Sequence, residues 1–186
     1  MPSVELPFER PEGDWRRVSR VPLAGWLVFY FLFLLHAATS ADGFLIIDNV
    51  NLMVHEGGHF FFGWFGYIIG ILGGTLAELL VPLLLASYFF WYRQTTAVAF
   101  AVFFFFENFL YIGRYMADAQ VQNLPLVGSG DHDWEILFTY WGVLRHDVAI
   151  GGATRKLGWM GMLATLAWLI WMALRSGSTE AHGALD

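Results

Sequence analysis

The chain contains no cysteine, which excludes disulfides and every thiolate-based metal or redox site. Charge is scarce as well: 14% of the 186 residues are Asp, Glu, Lys or Arg, where a soluble domain carries about a quarter. The net charge of −6 argues against nucleic acid as a partner. No linker-like stretch separates folded units, so one compact domain is expected. A cleavable leader is not expected either. The first twenty residues are polar, and the apolar run after them is long enough to remain as an anchor.

What fills the sequence instead is apolar and aromatic. Hydrophobic residues make up 57% and aromatics 18%, with nine Trp and eighteen Phe, set in long blocks. That composition suits a chain whose solvent is lipid. The predicted fold class is all-α, a polytopic transmembrane helix bundle with about five spans near 22–40, 44–66, 67–91, 95–113 and 157–174. The first and last read cleanly. The second is interrupted by Asp48, Asn49, Asn51 and a His-Glu-Gly-Gly-His run, the third by Glu78 and Pro82, the fourth by Glu107 and Asn108.

Between Arg114 and Arg155 lies a polar region with Asp118, Asp131, His132, Asp133, His146 and Asp147. Within it, Trp134 to Leu144 is apolar but too short to cross, and is expected as an interfacial or re-entrant helix. Residues 1–20 form a cytoplasmic tail in this reading, 21–175 a single transmembrane domain and 176–186 a disordered tail. With five crossings and the N-terminus inside, eight Lys and Arg lie on the inner side, and only Arg93 and Arg175 lie outside. The expected location is therefore a plasma membrane with a cytoplasmic N-terminus. Glycines at 63, 66, 70, 73 and 74, around the second turn, read as surface for close helix packing.

One stretch carries chemistry: His55-Glu56-Gly57-Gly58-His59. On a helix, His55 and His59 project from one face about 6 Å apart along the axis. Two imidazoles so placed can chelate one Zn²⁺. Glu56 falls beside the metal, where it can take a proton from a water whose pKa the metal lowers to near 7. HExxH on a helix is the pattern of zinc-dependent peptide hydrolysis. A carboxylate between two histidines inside a membrane is costly without such a use. Gly57 and Gly58 would leave room for a scissile strand, and Asp48, Asn49 and Asn51 would line a water path to the site.

If the second and third spans turn near Gly66 and Tyr67, Glu78 returns to the depth of His55. If the next pair turns near Arg93 and Gln94, Glu107 returns to about the same depth. A polar layer including Glu78, Glu107, Asn108 and, further on, Asp118 is then expected, since buried acids need donors. The third ligand is open at this point. Glu78 lies eighteen residues beyond His59, and His132 and Asp133 stand together in the polar region, where a carboxylate could also orient an imidazole.

The HEGGH run inside an apolar stretch resembles the first motif of the site-2 protease class of intramembrane zinc metalloproteases. The downstream Leu-Asp-Gly motif of that class, whose Asp is its third ligand, does not follow His59 here. Over residues 50 to 150 the chain looks more like a group of small bacterial membrane proteins of unassigned activity, through HEGGH, Gly73 to Leu76, Tyr115 to Ala119 and Gly130 to Trp134. This resemblance favours His132 as third zinc ligand, then Asp133, then Glu78. It implies a bacterial inner-membrane metallopeptidase that cuts a membrane or membrane-proximal protein, with Glu56 as general base. Homo-oligomerisation is left open. The competing expectation is a non-catalytic membrane subunit, or a helix bundle holding a metal or haem. An ion or proton carrier is disfavoured by the lack of an internal repeat.

Overall fold

The computed structural model describes residues 14–40, 43–127 and 131–183, with side chains described as far as 175. The described residues contain six α-helices and two short 3₁₀ turns, and no strand occurs among them. The helices are α1 (Arg20–Thr39), α2 (Asp48–Phe62), α3 (Tyr67–Trp91), α4 (Thr95–Ala117), α5 (Asp133–Tyr140) and α6 (Asp147–Gly183). The expected all-α bundle is what forms.

Four helices are long and apolar enough to cross a membrane: α1, α3, α4 and α6. Their outer faces carry uncovered Phe, Leu, Ile and Trp side chains, among them Phe31, Leu84 and Trp171. That is the surface a helix presents to lipid rather than to water. The helix at the centre is α4, with Ala99, Phe103, Glu107, Asn108 and Ile112 all buried. It packs on α6 through paired small residues. A Cβ at Gly151 would fall on the Gly113 carbonyl, and one at Gly113 would lie 2.6 Å from the Gly151 carbonyl. In lipid, such backbone approach supplies the packing energy that water-driven burial supplies elsewhere.

The second expected span is different. Of residues 44–66 only α2 is α-helical, and its 15 residues cover about 22 Å against a hydrocarbon core of about 30 Å. Asn51 bonds to Glu107 midway along α4, whereas His55 reaches Tyr115 near its C-terminal end. So α2 begins deep in the bundle and runs outward, a half-helix rather than a crossing. Leu45, just before it, is buried in the core, and its N–H donates to the Asp48 carboxylate at 2.7 Å. Among the described residues, four helices reach the length and hydropathy of a crossing, where about five were expected.

The ends of the bundle follow from this. The segment before α1 is tied to the α3–α4 turn by Arg16 N–H to Arg93 O at 3.0 Å and Thr95 Oγ1 to Arg16 O at 2.6 Å. Trp15 packs against Trp168 of α6 at the same end. Arg16, Arg17, Arg20, Arg93 and Arg175 therefore share one end, while Arg114, Arg145, Arg155 and Lys156 lie towards the other. The strong charge bias expected from five crossings dissolves, and with it the basis for placing the N-terminus inside.

Turns fall where the residues predict. Gly66 links α2 to α3 at φ +111°, a conformation that L side chains rarely adopt. Arg93 takes φ +53° between α3 and α4. Helix α6 starts at Asp147, ten residues before the expected span. Asp147 accepts the Gln120 N–H and side-chain amide at 3.1 and 2.7 Å, fixing the entry to the helix. Arg155 and Lys156 masked that start in the hydropathy. The helix runs on to Gly183, inside the tail expected to be disordered. The side chains there, and residues 184–186, lie outside the described residues, as do residues 1–13 of the N-terminal tail.

Candidate metal centre

Helices α2 and α3 form a hairpin whose contact surface is backbone. A Cβ at Gly58 would overlap the Gly73 carbonyl, and one at Gly74 would sit 2.5 Å from the His55 ring. The glycine stripe thus lets His55 lie flat against α3. Gly58 is used for this packing, not for admitting a substrate strand as its position in the motif suggested. Of the two motif glycines, Gly57 is the one that faces open space.

The two imidazoles stand with ring centroids 4.7 Å apart. Each has its Nδ1 directed to a fixed partner on α3. His59 Nδ1 lies 2.8 Å from the Gly70 carbonyl oxygen, and His55 Nδ1 is in ion-pair contact with Glu78 Oε1 at 3.3 Å. The turn at Gly66 brings Glu78 to this level. Both Nε2 atoms then point the same way, onto one oxygen of Asp133: 2.9 Å from His55 and 3.2 Å from His59.

Asp133 opens α5, and its own N–H donates to the Tyr115 hydroxyl at 3.1 Å. Burial pushes its carboxyl up, but hydrogen bonds from His55 and His59 outweigh that and hold it below the ordinary carboxylate value. His55, His59 and Asp133 place three ligand atoms within 4.8 Å of one another. Tetrahedral zinc with bonds near 2.0–2.1 Å sets its ligand atoms about 3.3 Å apart. The two His–Asp133 spacings, 2.9 and 3.2 Å, lie within a few tenths of an ångström of that value. Two neutral-capable imidazoles, one carboxylate and no thiolate make a donor set that fits Zn²⁺ with a position left for water. An acid and a carbonyl behind the two rings match the supports that metal-ligating histidines use to fix their tautomer.

Of the candidates for third ligand, His132 then Asp133 then Glu78, it is Asp133 that the structure sets against both Nε2 atoms. The His132 ring is buried against Tyr115, centroids 4.2 Å apart, and turns away from α2. Its Nδ1 accepts the Glu135 N–H as the cap of α5, and its Nε2 faces Asp118 at 3.6 Å. Burial lowers its pKa, with Asp118 pulling the other way. Asp118 in turn accepts the N–H groups of Asn123 and Leu124. This pair braces the loop that carries Asp133.

Glu56 is exposed and lines a cavity of about 660 Å³ together with His55, His59, Asp133 and Tyr115. The cavity walls are otherwise largely apolar, with Phe44, Leu52 and Ile71 among them. Glu107 and Asn108 are fully buried but do not touch the histidines. The Asn51 amide bridges Glu107 at 3.1 Å and Asp48 at 3.3 Å, while Asn108 donates to Phe104 O. Asp48 and Asn51 are 1% exposed, so they join this buried layer and do not form the water path expected of them. Asn49 bonds to Ile46 O on the outside.

Two contributors were not singled out beforehand. Tyr115 was noted only as part of a short motif, and the Gly70 carbonyl carries no side-chain signal at all. Comparison with protein-family models, curated proteins and solved structures finds no match to this chain.

Proposed function

We propose that this protein is a membrane-embedded, zinc-dependent peptidase acting on a membrane or membrane-proximal segment of another protein. The observation that carries this reading is the convergence of His55 Nε2, His59 Nε2 and Asp133 Oδ2 at the edge of a cavity that Glu56 also lines. These three residues would hold the metal. When bound, Zn²⁺ supplies Lewis-acid polarisation of the scissile carbonyl and makes water acidic enough to attack near neutral pH. Glu56 takes the proton from the attacking water and returns it to the leaving amine. Glu78 and the Gly70 carbonyl keep both imidazoles turned so that only Nε2 is presented.

The apolar cavity walls suit a substrate segment rich in aliphatic side chains, and the short α2 leaves the site near one end of the bundle. The resemblance to small bacterial membrane proteins extends the proposal to a bacterial inner membrane.

The test is a vesicle-reconstituted protein, prepared without chelators and given apolar peptide reporters. Cleavage that needs Zn²⁺ and disappears in Glu56→Gln is the expected result. Cleavage that survives Glu56→Gln refutes the mechanism. Carefully prepared protein without any transition metal would leave a non-catalytic membrane subunit.

A further inference from the structure

Among the described residues, one arginine lines the cavity beside the histidines, and the mechanism above does not use it. Arg114, in the last turn of α4, stands with Tyr111 on the wall that also carries Tyr115. Tyr115 is in ring contact with His55 at 5.8 Å, and one residue of helix is about 1.5 Å of rise, so Arg114 lies at the depth of the metal ligands. An arginine near a helix end in a membrane ordinarily reaches out to the boundary. This one is held on the cavity wall. A Cβ at Gly43 would stand 3.6 Å from its Cδ, and its guanidinium lies over the Phe44 ring at 5.6 Å.

That stack uses the guanidinium face and leaves the N–H edge, the part that grips a carboxylate through two parallel hydrogen bonds. Among the described residues no carboxylate is in ion-pair contact with Arg114, and this includes Glu56, Asp131 and Asp133 of the same cavity. Asp48 feels its charge only at a distance, and both Asp48 oxygens are already held, by the Leu45 N–H and the Asn51 amide. The Tyr111 hydroxyl, one turn earlier on α4, also has no hydrogen-bond partner among the described residues. Two donors without acceptors therefore line one wall. The size of the cavity narrows what they would hold. At a helix diameter of about 10 Å and a rise of about 1.5 Å, its volume of about 660 Å³ takes roughly six residues. A spanning segment of about 20 residues does not fit whole, whereas the end of a chain does. The apolar walls select apolar side chains, and the one anion that such a chain always keeps is its C-terminal carboxylate.

We propose that Arg114 and Tyr111 bind the C-terminal carboxylate of an apolar peptide, so that the site works from the end of its substrate, as a carboxypeptidase. The inference rests on the peptidase reading for its chemistry, though not for its binding. Water adds its hydroxyl to the scissile carbonyl carbon, the C–N bond breaks, and the remaining proton of that water goes to the leaving amine. The small product departs with a new amino group and with the carboxylate that Arg114 held.

The test is calorimetry on the full chain carrying Glu56→Gln, zinc-loaded in detergent so that peptide is held without being cut. It is titrated with N-acetyl-Leu-Leu-Phe and with the C-terminal amide of the same peptide. The free acid is expected to bind about 10-fold tighter or better. Arg114→Gln brings the acid down to the affinity of the amide, and Tyr111→Phe weakens the acid alone by about fivefold. Arg145→Gln, at the same end but outside the cavity, changes neither. The preference persists when zinc is stripped, because Arg114 and not the metal grips the carboxylate. A Glu placed within the amide, the other source of a carboxylate, does not restore tight binding. Equal affinity for acid and amide, a preference that leaves with the zinc, or one that the internal Glu restores, overturns the proposal. The comparison of acid with amide decides it even if the Arg114 variant fails to fold. Wild-type protein is expected to release C-terminal residues from the acid and to spare the amide. A protein that prefers the acid but cuts neither peptide keeps this site and loses the peptidase reading. One that cuts both equally keeps that reading and loses this site.

Discussion

The Nδ1 atom of His59 lies 2.8 Å from the carbonyl oxygen of Gly70, across the α2–α3 hairpin. A carbonyl can only accept, so this nitrogen carries a proton, and it is Nε2, hydrogen-bonded to Asp133 here, that would give up its proton to present a lone pair to a metal. The backbone of one helix thereby sets the tautomer of a histidine on the next. His55 Nδ1 faces a side chain instead, Glu78, in ion-pair contact at 3.3 Å.

Glu78→Gln separates that support from ligation. Volume is kept, but the negative charge behind His55 is lost. Zinc affinity is expected to fall roughly 10- to 100-fold, read by competition with a chromophoric chelator. Glu107→Gln, which reaches Asn51 but neither histidine, leaves affinity within about twofold of wild type. Equal losses in both variants would reduce Glu78 to one more buried acid.

Asp133→Ala and His132→Ala discriminate the two neighbours. Metal analysis should find no stoichiometric zinc in Asp133→Ala. His132→Ala retains it, while losing about 1–3 kcal/mol of stability from the buried stack on Tyr115 and the α5 cap. The reverse pattern of zinc content would return the ligand role to His132.

Glu56→Gln should cut peptide hydrolysis by about 10²- to 10⁴-fold while zinc stays at one per chain. Its exposed position predicts no change in thermal midpoint beyond about ±0.5 kcal/mol equivalent. Loss of metal along with activity would move Glu56 from proton transfer to ligation.

The two kinds of glycine behave oppositely. Gly74→Ala puts a methyl 2.5 Å from the His55 ring, and Gly58→Ala drives one into the Gly73 carbonyl, so both open the hairpin and lower zinc content. Gly57→Ala meets nothing within 4 Å and is expected to stabilise α2 by about 0.5–1 kcal/mol. Thermal unfolding in detergent, with zinc analysis alongside, checks both directions. A destabilising Gly57→Ala would point to an undetected neighbour at that face.

Much of this arrangement was legible because it is local. Residues four apart on a helix share a face, so His55 and His59 had to stand together. Turns at Gly66 and at Arg93–Gln94 follow from polar or glycine punctuation between apolar runs, and they bring Glu78 back to His55 by simple counting of rise. The shortness of α2 was not legible because hydropathy measures how apolar a stretch is, not how much of it is helix. Residues 44–47 are apolar but run inward as a non-α-helical entry, and Asp48 and Asn51 are stabilised by Glu107 on a helix that begins more than forty residues later.

Composition and periodicity alone determined an all-helical membrane bundle, the pairing of His55 with His59, and an acid beside them, since each depends on nearest neighbours along the chain. Only tertiary packing decided which of His132 and Asp133 lies beside the two histidines of α2. These adjacent residues leave the start of α5 in different directions, and which one meets α2 depends on Tyr115 and Asp118 seizing the histidine. Contacts between residues distant in sequence are set by the closest fit of whole helices, and no spacing within a single segment encodes that fit.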